Sequence, residues 1–377
     1  MTTEGLPPAL GRRVPPTWAV EPGLWLRNLL GRAHREMTPP ALPVLEQMDR
    51  MIEVRLVAAA VEAGLIDGLA GRPRDPAALA DELDLDEDAV FRVLRYLTSK
   101  GWFRVEGGGV PMRASRFALT TSGTLLRADH PDGLAAWARF AGADWMADIW
   151  NRAGTTLRTG ESACVAATGR GFFEFLDDTP EADELFDGAM RAGSGMQSRL
   201  VVEAIDFGRF GRICDVAGGT GRTLTRVLAS APASTGVLVE RPSVIARARH
   251  ELERMPEGER IELVVGDMFE GVPPGCDCYL LLAVVHDWAD DDAVRVLANV
   301  RDGMGLVGRA VVVESVVPER ATADFSTMSD VMMLVLTGAG RERTQAEFVA
   351  LFARAGLRIA RQTVLPNLFR AFELASV

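Results

Sequence analysis

Four short stretches in the second half of the chain hold residue types that do chemistry. The first is Asp215-Val-Ala-Gly218-Gly219-Thr-Gly221, which closes an apolar run and precedes a helix-length segment, Arg222–Ser230. Glycines there let the chain turn sharply and present backbone N–H groups, and the start of the helix favours an anion. An acid opening such a loop is unhelpful beside a pyrophosphate but suits a cation, such as an ammonium or a sulfonium. The second is Glu240, which ends the next apolar run 25 residues on. A carboxylate at that spacing can accept from both hydroxyls of a ribose. The third is Gly266-Asp267-Met268-Phe269, where Asp267 can meet an adenine amino group while Met268 or Phe269 packs against the ring. The fourth is His286, 19 residues past Asp267. Of the four histidines (His34, His130, His250, His286), it alone lies beyond a predicted strand on the same side of the sheet. An imidazole near its ordinary pKa of about 6.5 can take a proton at neutral pH.

A nicotinamide dinucleotide competes for such a site. The loop lacks the G-x-G-x-x-G order, and its opening acid argues against a pyrophosphate. S-adenosylmethionine offers an amino group and a sulfonium to Asp215 and a carboxylate to the helix N-terminus, so it is the expected ligand.

These groups need a frame. Strand-like runs at Arg212–Ala217, Gly236–Glu240, Ile261–Val265, Asp277–Val285 and Arg309–Val317 alternate with helical segments, including Asp290–Gly303, and Leu357–Val364 with Leu368–Leu374 forms a last strand pair. Alternation of this kind predicts an α/β fold with a mostly parallel sheet covered on both faces, its ligands at the carboxyl ends of the strands. Upstream, residues 1–21 read as a proline-rich arm, Gly23–Glu36 as a short helix and Leu42–Ala63 as a longer one with a broad apolar stripe for a core or a partner subunit. Asp75 caps Pro76–Leu83 and Asp86 caps Glu87–Ser99. Two strands, Trp102–Glu106 and Val110–Phe117, flank Gly107-Gly-Gly109, completing a helix–turn–helix with a wing. Residues 131–200 are mostly helical and hold Trp137, Phe140, Trp145, Phe172, Phe173 and Phe175, either as core or as walls of an apolar cavity. The expected divisions are an arm at 1–41, a winged-helix-like domain at 42–130, a helical linker and pocket segment at 131–200, and a catalytic domain at 201–377.

Charge decides what the winged unit does. Residues 1–130 carry 16 basic and 17 acidic side chains, and the candidate recognition helix begins Asp86-Glu87-Asp88, which repels phosphate. The whole chain has a formal charge of −11. No nucleic-acid partner is expected, and the unit reads as a structural or dimerising module. Four scattered cysteines form no disulfide framework, and the Cys276-x-Cys278 pair lacks partners for a zinc site. No metal, no membrane span and a cytoplasmic setting are the expectations.

Together with Val239-Glu-Arg-Pro242, Val285-His-Asp-Trp288, Val313-Glu314 and Gly340-Arg-Glu-Arg-Thr344, these motifs resemble the ordered motifs of S-adenosylmethionine-dependent small-molecule O-methyltransferases of the caffeic-acid type and its bacterial natural-product relatives. The resemblance covers about residues 45–377. It implies a winged-helix-like dimerisation domain, a Rossmann-like catalytic domain and a homodimer. It further implies that His286 is the general base, that Asp287 holds the acceptor hydroxyl, and that Glu314 and Glu342 orient the imidazole. The Arg341–Arg343 run could equally be a solvated charge cluster. Trp288 packs over the cofactor pocket or simply in the core. The acceptor is expected to be a phenolic or polyketide-like natural product. A non-methylating reaction on the same fold and a ligand-responsive regulator are the rivals. Two departures stand out: Ala217 replaces the usual first glycine, and Arg241 replaces an apolar residue before proline.

Overall fold

The computed structural model describes residues 17–107, 112–130, 133–320, 325–365 and 369–377. It divides into two compact units, Ala33–Met196 and Gln197–Val377, with described residues 17–32 grouping with the second.

In the first unit, the two expected caps form. Asp75 accepts from the Ala78 N–H at 2.9 Å to start the Pro76–Leu83 helix, and Asp86 accepts from Ala89 at 2.8 Å to start Glu87–Ser99. Strands β1 (Phe103–Glu106) and β2 (Arg116–Leu119) pair antiparallel. The second strand lies later than expected. Residues Met112–Ala114 make a 3-10 turn, and the run that buries Phe117, Ala118 and Leu119 against the helices forms the strand instead. Residues 108–111, which hold most of the expected glycine turn, lie outside the described residues. The aromatics of 137–186 interlock at tilted and edge-to-face angles, with Phe140 and Phe172 buried and Trp137, Trp145, Phe173 and Phe175 half-buried.

The Ala41–Glu62 helix has its polarity reversed over its first half. Its polar side faces inward, with Asp49 taking Lys100 and the Tyr96 hydroxyl, and Glu53 accepting from Trp102 Nε1 at 2.7 Å. Val44, Leu45, Met48, Met51 and Ile52 are left exposed. The helix before it, Thr17–Met37, starts earlier than the expected arm allowed and runs through Pro22. One proline near a helix start forfeits a single backbone bond, which the rest of a long helix tolerates.

The second unit is a seven-stranded sheet in the order β10-β11-β7-β6-β3-β4-β5. Its strands are β3 (Arg212–Val216), β4 (Thr235–Glu240), β5 (Ile261–Val265), β6 (Cys278–Leu282), β7 (Arg309–Glu314), β10 (Leu357–Val364) and β11 (Arg370–Ser376), with a two-residue bridge of β8 (Val316–Val317) to β9 (Arg343–Thr344) apart from it. The first five are mutually parallel, and β11 inserts antiparallel between β7 and β10. Successive residues bury on opposite faces: Cys214, Val237, Tyr279 and Val312 on one, Ile213, Leu238, Leu280 and Val311 on the other. Burial on both sides is why the strands read as unbroken apolar runs. Chain order reverses between β3 and β6, which opens a ligand crevice at their carboxyl ends. Residues 366–368, the expected turn of the last pair, lie outside the described residues.

Candidate active site

At the end of β3 the glycine loop folds back over Asp215. A Cβ on Gly218 would lie 2.3 Å from Asp215 Oδ2, so only glycine allows this approach. Ala217, Gly219 and Gly221 have φ of 55°, 60° and 79°. Ala217 thus takes a positive φ that favours glycine, at a cost of about 1–2 kcal/mol. Gly221 caps the Arg222–Ser230 helix. Asp215 is buried and its Oδ2 has no partner. Burial, and then the charge of Glu240, push its carboxyl up to about 8.

Glu240 closes β4 beside it. Its Oε1 accepts from the Gly219 N–H at 3.1 Å and its Oε2 from the Arg241 N–H at 2.9 Å. Burial raises its pKa against those two bonds. Arg241 therefore leaves the acid in register. The Gly266 N–H bonds the Glu240 carbonyl, which brings Asp267 to the neighbouring strand end, exposed, with Oδ1 accepting from Phe269 N–H at 2.8 Å. Phe269 meets Trp288 edge to face with ring centroids 4.6 Å apart, and both rings and Met268 pack on the core beneath. Trp288 thus packs on the core. An orphaned buried carboxylate oxygen, a loop that glycine alone can fold over it, and a partly buried acid one strand away fit a cationic nucleoside such as S-adenosylmethionine.

The second cluster lies at the ends of β6 and β7. The apolar run expected as one strand, Asp277–Val285, ends at Leu282 because Ala283 turns left-handed (φ 54°) and Glu314 Oε1 captures the Val284 and Val285 N–H groups at 3.1 and 2.7 Å. Those bonds curl Val285–Asp287 into a 3-10 turn that presents His286. The imidazole Nδ1 lies 2.9 Å from Glu342 Oε1 and 4.0 Å from Glu314 Oε2, and its Nε2 lies 3.6 Å from Asp287 Oδ1. Glu314 and Glu342 are buried, each with one oxygen unpartnered. Burial alone would lower the histidine pKa, but Asp287, Glu314 and Glu342 outweigh it and push it up to about 10. The ordinary imidazole pKa expected from sequence is thus corrected: three acids surround one base. Glu314 is pushed up to about 7 by burial, opposed by His286 and reinforced by Glu342. Burial also raises Asp287.

His286, Glu314 and Glu342 could together reach one metal ion, since their ligand atoms lie within 4.8 Å of one another. The 2.9 Å between Nδ1 and Oε1 is nevertheless a hydrogen-bond length. Two ligands of one zinc sit about 3.3 Å apart.

Sequence reasoning missed several supports. Arg343 is fully buried. It bonds Asp290 Oδ1 at 2.8 and 3.0 Å and donates to the carbonyls of Val285 and Trp288, clamping the turn that carries His286. The solvated reading of the Arg341–Arg343 run is therefore overturned at its last two residues: Glu342 and Arg343 are both buried. Gly340 sits where a Cβ would come 2.9 Å from the His286 carbonyl. Ser329 donates to Glu342 Oε1 at 2.7 Å, and Asp330 accepts from the Glu342 N–H at 3.0 Å. The only sequence signal for them was a polar cluster, Ser326, Thr327, Ser329 and Asp330, at the start of a helix that is otherwise apolar.

Comparison with known proteins agrees with this geometry. Residues 45–129 match a family profile described as an O-methyltransferase dimerisation domain, and residues 150–358 match an O-methyltransferase domain. A mitomycin biosynthesis 6-O-methyltransferase of Streptomyces lavendulae is 35% identical over 82% of this chain and 86% of its own. A 3-amino-4-hydroxybenzoate 4-O-methyltransferase of Streptomyces cremeus is 35% identical over 86% of this chain and 87% of its own. Among solved structures, a methyltransferase of calicheamicin biosynthesis in its S-adenosylhomocysteine-bound form superposes with a TM-score of 0.79 at 33% identity, covering 90% of this chain and 98% of that one. One relative carries another reaction in its name, aclacinomycin 10-hydroxylase of Streptomyces purpurascens, 31% identical over 89% of this chain and 90% of its own. The sheet topology, the acid-and-glycine loop and the two matched domains agree, and the chain belongs to the O-methyltransferase family that uses S-adenosylmethionine as methyl donor.

Proposed function

We propose that this protein methylates a phenolic hydroxyl of an aromatic natural product, with His286 as general base. The observation that carries this reading is a histidine held at the strand ends by Glu342 and Glu314, past the loop that holds Asp215 and Glu240. S-adenosylmethionine, when bound, supplies an electrophilic methyl on a sulfonium. Asp215 attracts its positive charge, Glu240 receives the ribose hydroxyls, Asp267 meets the adenine amino group, and Met268, Phe269 and Trp288 wall the ring. The start of the Arg222–Ser230 helix, whose first backbone N–H groups have no partner within the helix, favours the ligand's carboxylate.

His286 takes the acceptor proton at Nε2 while Nδ1–H stays donated to Glu342. A base with a pKa of about 10 matches a phenol of about 10, so proton transfer runs near thermoneutral. Asp287 lies beside Nε2 and helps hold the acceptor oxygen there. Alignment of that oxygen with the methyl supplies the larger part of the rate. Because the neutral imidazole is the active form, kcat/KM should rise with pH by about tenfold per unit on the neutral side of about 10. The measurement is a pH profile with 3-amino-4-hydroxybenzoate, the acceptor named for the Streptomyces cremeus relative, beside other small phenols. His286→Asn should cut kcat about 10²- to 10⁴-fold and remove that slope. A slope unchanged in the variant would place the base elsewhere.

The homodimer is part of the same proposal. The exposed apolar half of the Ala41–Glu62 helix lies mostly within the segment matching the dimerisation profile. A second copy covering it would explain why the helix turns its acids inward. The hydroxylase relative favours the one competing reading, in which the same fold binds the cofactor without transferring its methyl.

A further inference from the structure

Ser329 sits on the inner face of the Phe325–Leu336 helix, buried, with its Oγ 2.7 Å from Glu342 Oε1. That oxygen is the one His286 Nδ1 reaches at 2.9 Å. The next residue, Asp330, holds the Glu342 backbone through its N–H at 3.0 Å. One helical turn therefore fixes Glu342 twice, at the main chain and at the carboxylate. The second oxygen, Oε2, has no partner. Without Ser329, nothing but the imidazole would hold the Glu342 carboxylate among the bonds found in the described residues.

We propose that Ser329 is a positioning residue for the proton transfer: by donating to Glu342 Oε1 it fixes the carboxylate that in turn holds the His286 ring with Nδ1 protonated and Nε2 free for the acceptor. The inference rests on His286 as the base. Two donors on one oxygen divide its lone pairs, so the imidazole N–H has one direction to point. Ser329 also draws charge from the oxygen and restrains how strongly Glu342 stabilises the imidazolium. The other groups facing the ring are Asp287 on its own turn and Glu314 at the end of β7. The cation Arg343, from the segment that carries Glu342, is engaged by Asp290 and by backbone carbonyls.

The test is nitrogen-edited NMR of the histidine rings in the full chain, titrated from about pH 6 to about pH 11, for wild type, Ser329→Ala and Ser329→Thr, with His286→Asn identifying the resonance. Wild type should show a Nδ1–H tautomer once neutral. Ser329→Ala should move the His286 titration to higher pH and mix the two tautomers, and Ser329→Thr should restore both. In parallel, Ser329→Ala should lower kcat about tenfold with little change in the KM for S-adenosylmethionine, and shift the rising limb of the pH profile the same way. An unchanged His286 titration and tautomer in Ser329→Ala would overturn the inference. Loss of the His286 proposal itself would look different: His286→Asn would keep full methyl transfer whatever Ser329 does to the ring.

Discussion

Asp215 is a buried carboxyl with one oxygen, Oδ2, unpartnered, and such a group weakens the fold unless a ligand uses it. Its pKa in the folded chain is about 8, above that of the unfolded chain, near 4. The native state therefore keeps a proton that the unfolded chain releases. The stability this affinity contributes is full below about pH 4 and is lost as pH rises through about 8. Asp215→Asn should consequently raise Tm by several degrees at pH 8 and leave it near wild type at pH 4, read by thermal melts at both values. The same variant should bind S-adenosylmethionine more weakly by calorimetry. A variant that gained no stability at pH 8 would contradict a carboxyl whose pKa burial raises. At this scale the sequence was most legible where a residue type serves one purpose: an acid before glycines, an acid at a strand end, a single histidine past a strand. It was least legible for the partners of those groups. Ser329, Asp330 and Arg343 lie 43 to 57 residues beyond His286, and only the fold brings them to it.

Elements make the site by ending abruptly. The β6 run stays apolar past Leu282, and nothing in its hydropathy marks the turn, because the turn is imposed by a carboxylate on the neighbouring strand. Periodicity cannot foresee a bond made across 30 residues. The capped helices, by contrast, begin where Asp75 and Asp86 place them, since a cap is local. The loop before β9 is a second support for the histidine turn: the Arg341 N–H donates to the His286 carbonyl at 2.7 Å, and Gly340 leaves room for that carbonyl. Gly340→Ala should push the two apart. We expect kcat to fall about tenfold while the calorimetric affinity for S-adenosylhomocysteine is unchanged, because the glycine loop over Asp215 is untouched. Equal losses in both would mean that the turn and the cofactor loop are not separable.

The whole molecule combines a catalytic unit that explains itself and a helical unit whose surface does not. Val44, Leu45, Met48, Met51 and Ile52 are exposed on a helix whose acids face the protein. Such a patch marks an interface. Met48→Glu with Ile52→Glu should convert a dimer to a monomer in sedimentation experiments, with the monomer still folded by circular dichroism; a wild-type monomer would refute the pairing. At the acidic start of the Glu87–Ser99 helix, which led to the expectation of no nucleic-acid partner, Arg113 lies against Asp88 and Glu87. No helix among the described residues is long and apolar enough to cross a membrane.

The most direct measurement is methyl transfer from methyl-deuterated S-adenosylmethionine to phenolic acceptors, followed by mass spectrometry, for wild type and His286→Asn side by side. Wild type should place the labelled methyl on the phenolic oxygen. His286→Asn should lose that product by about 10² or more while still binding S-adenosylhomocysteine. Unimpaired transfer by the variant, or an acceptor altered by wild type without gaining the label, would contradict a histidine-driven O-methyltransferase.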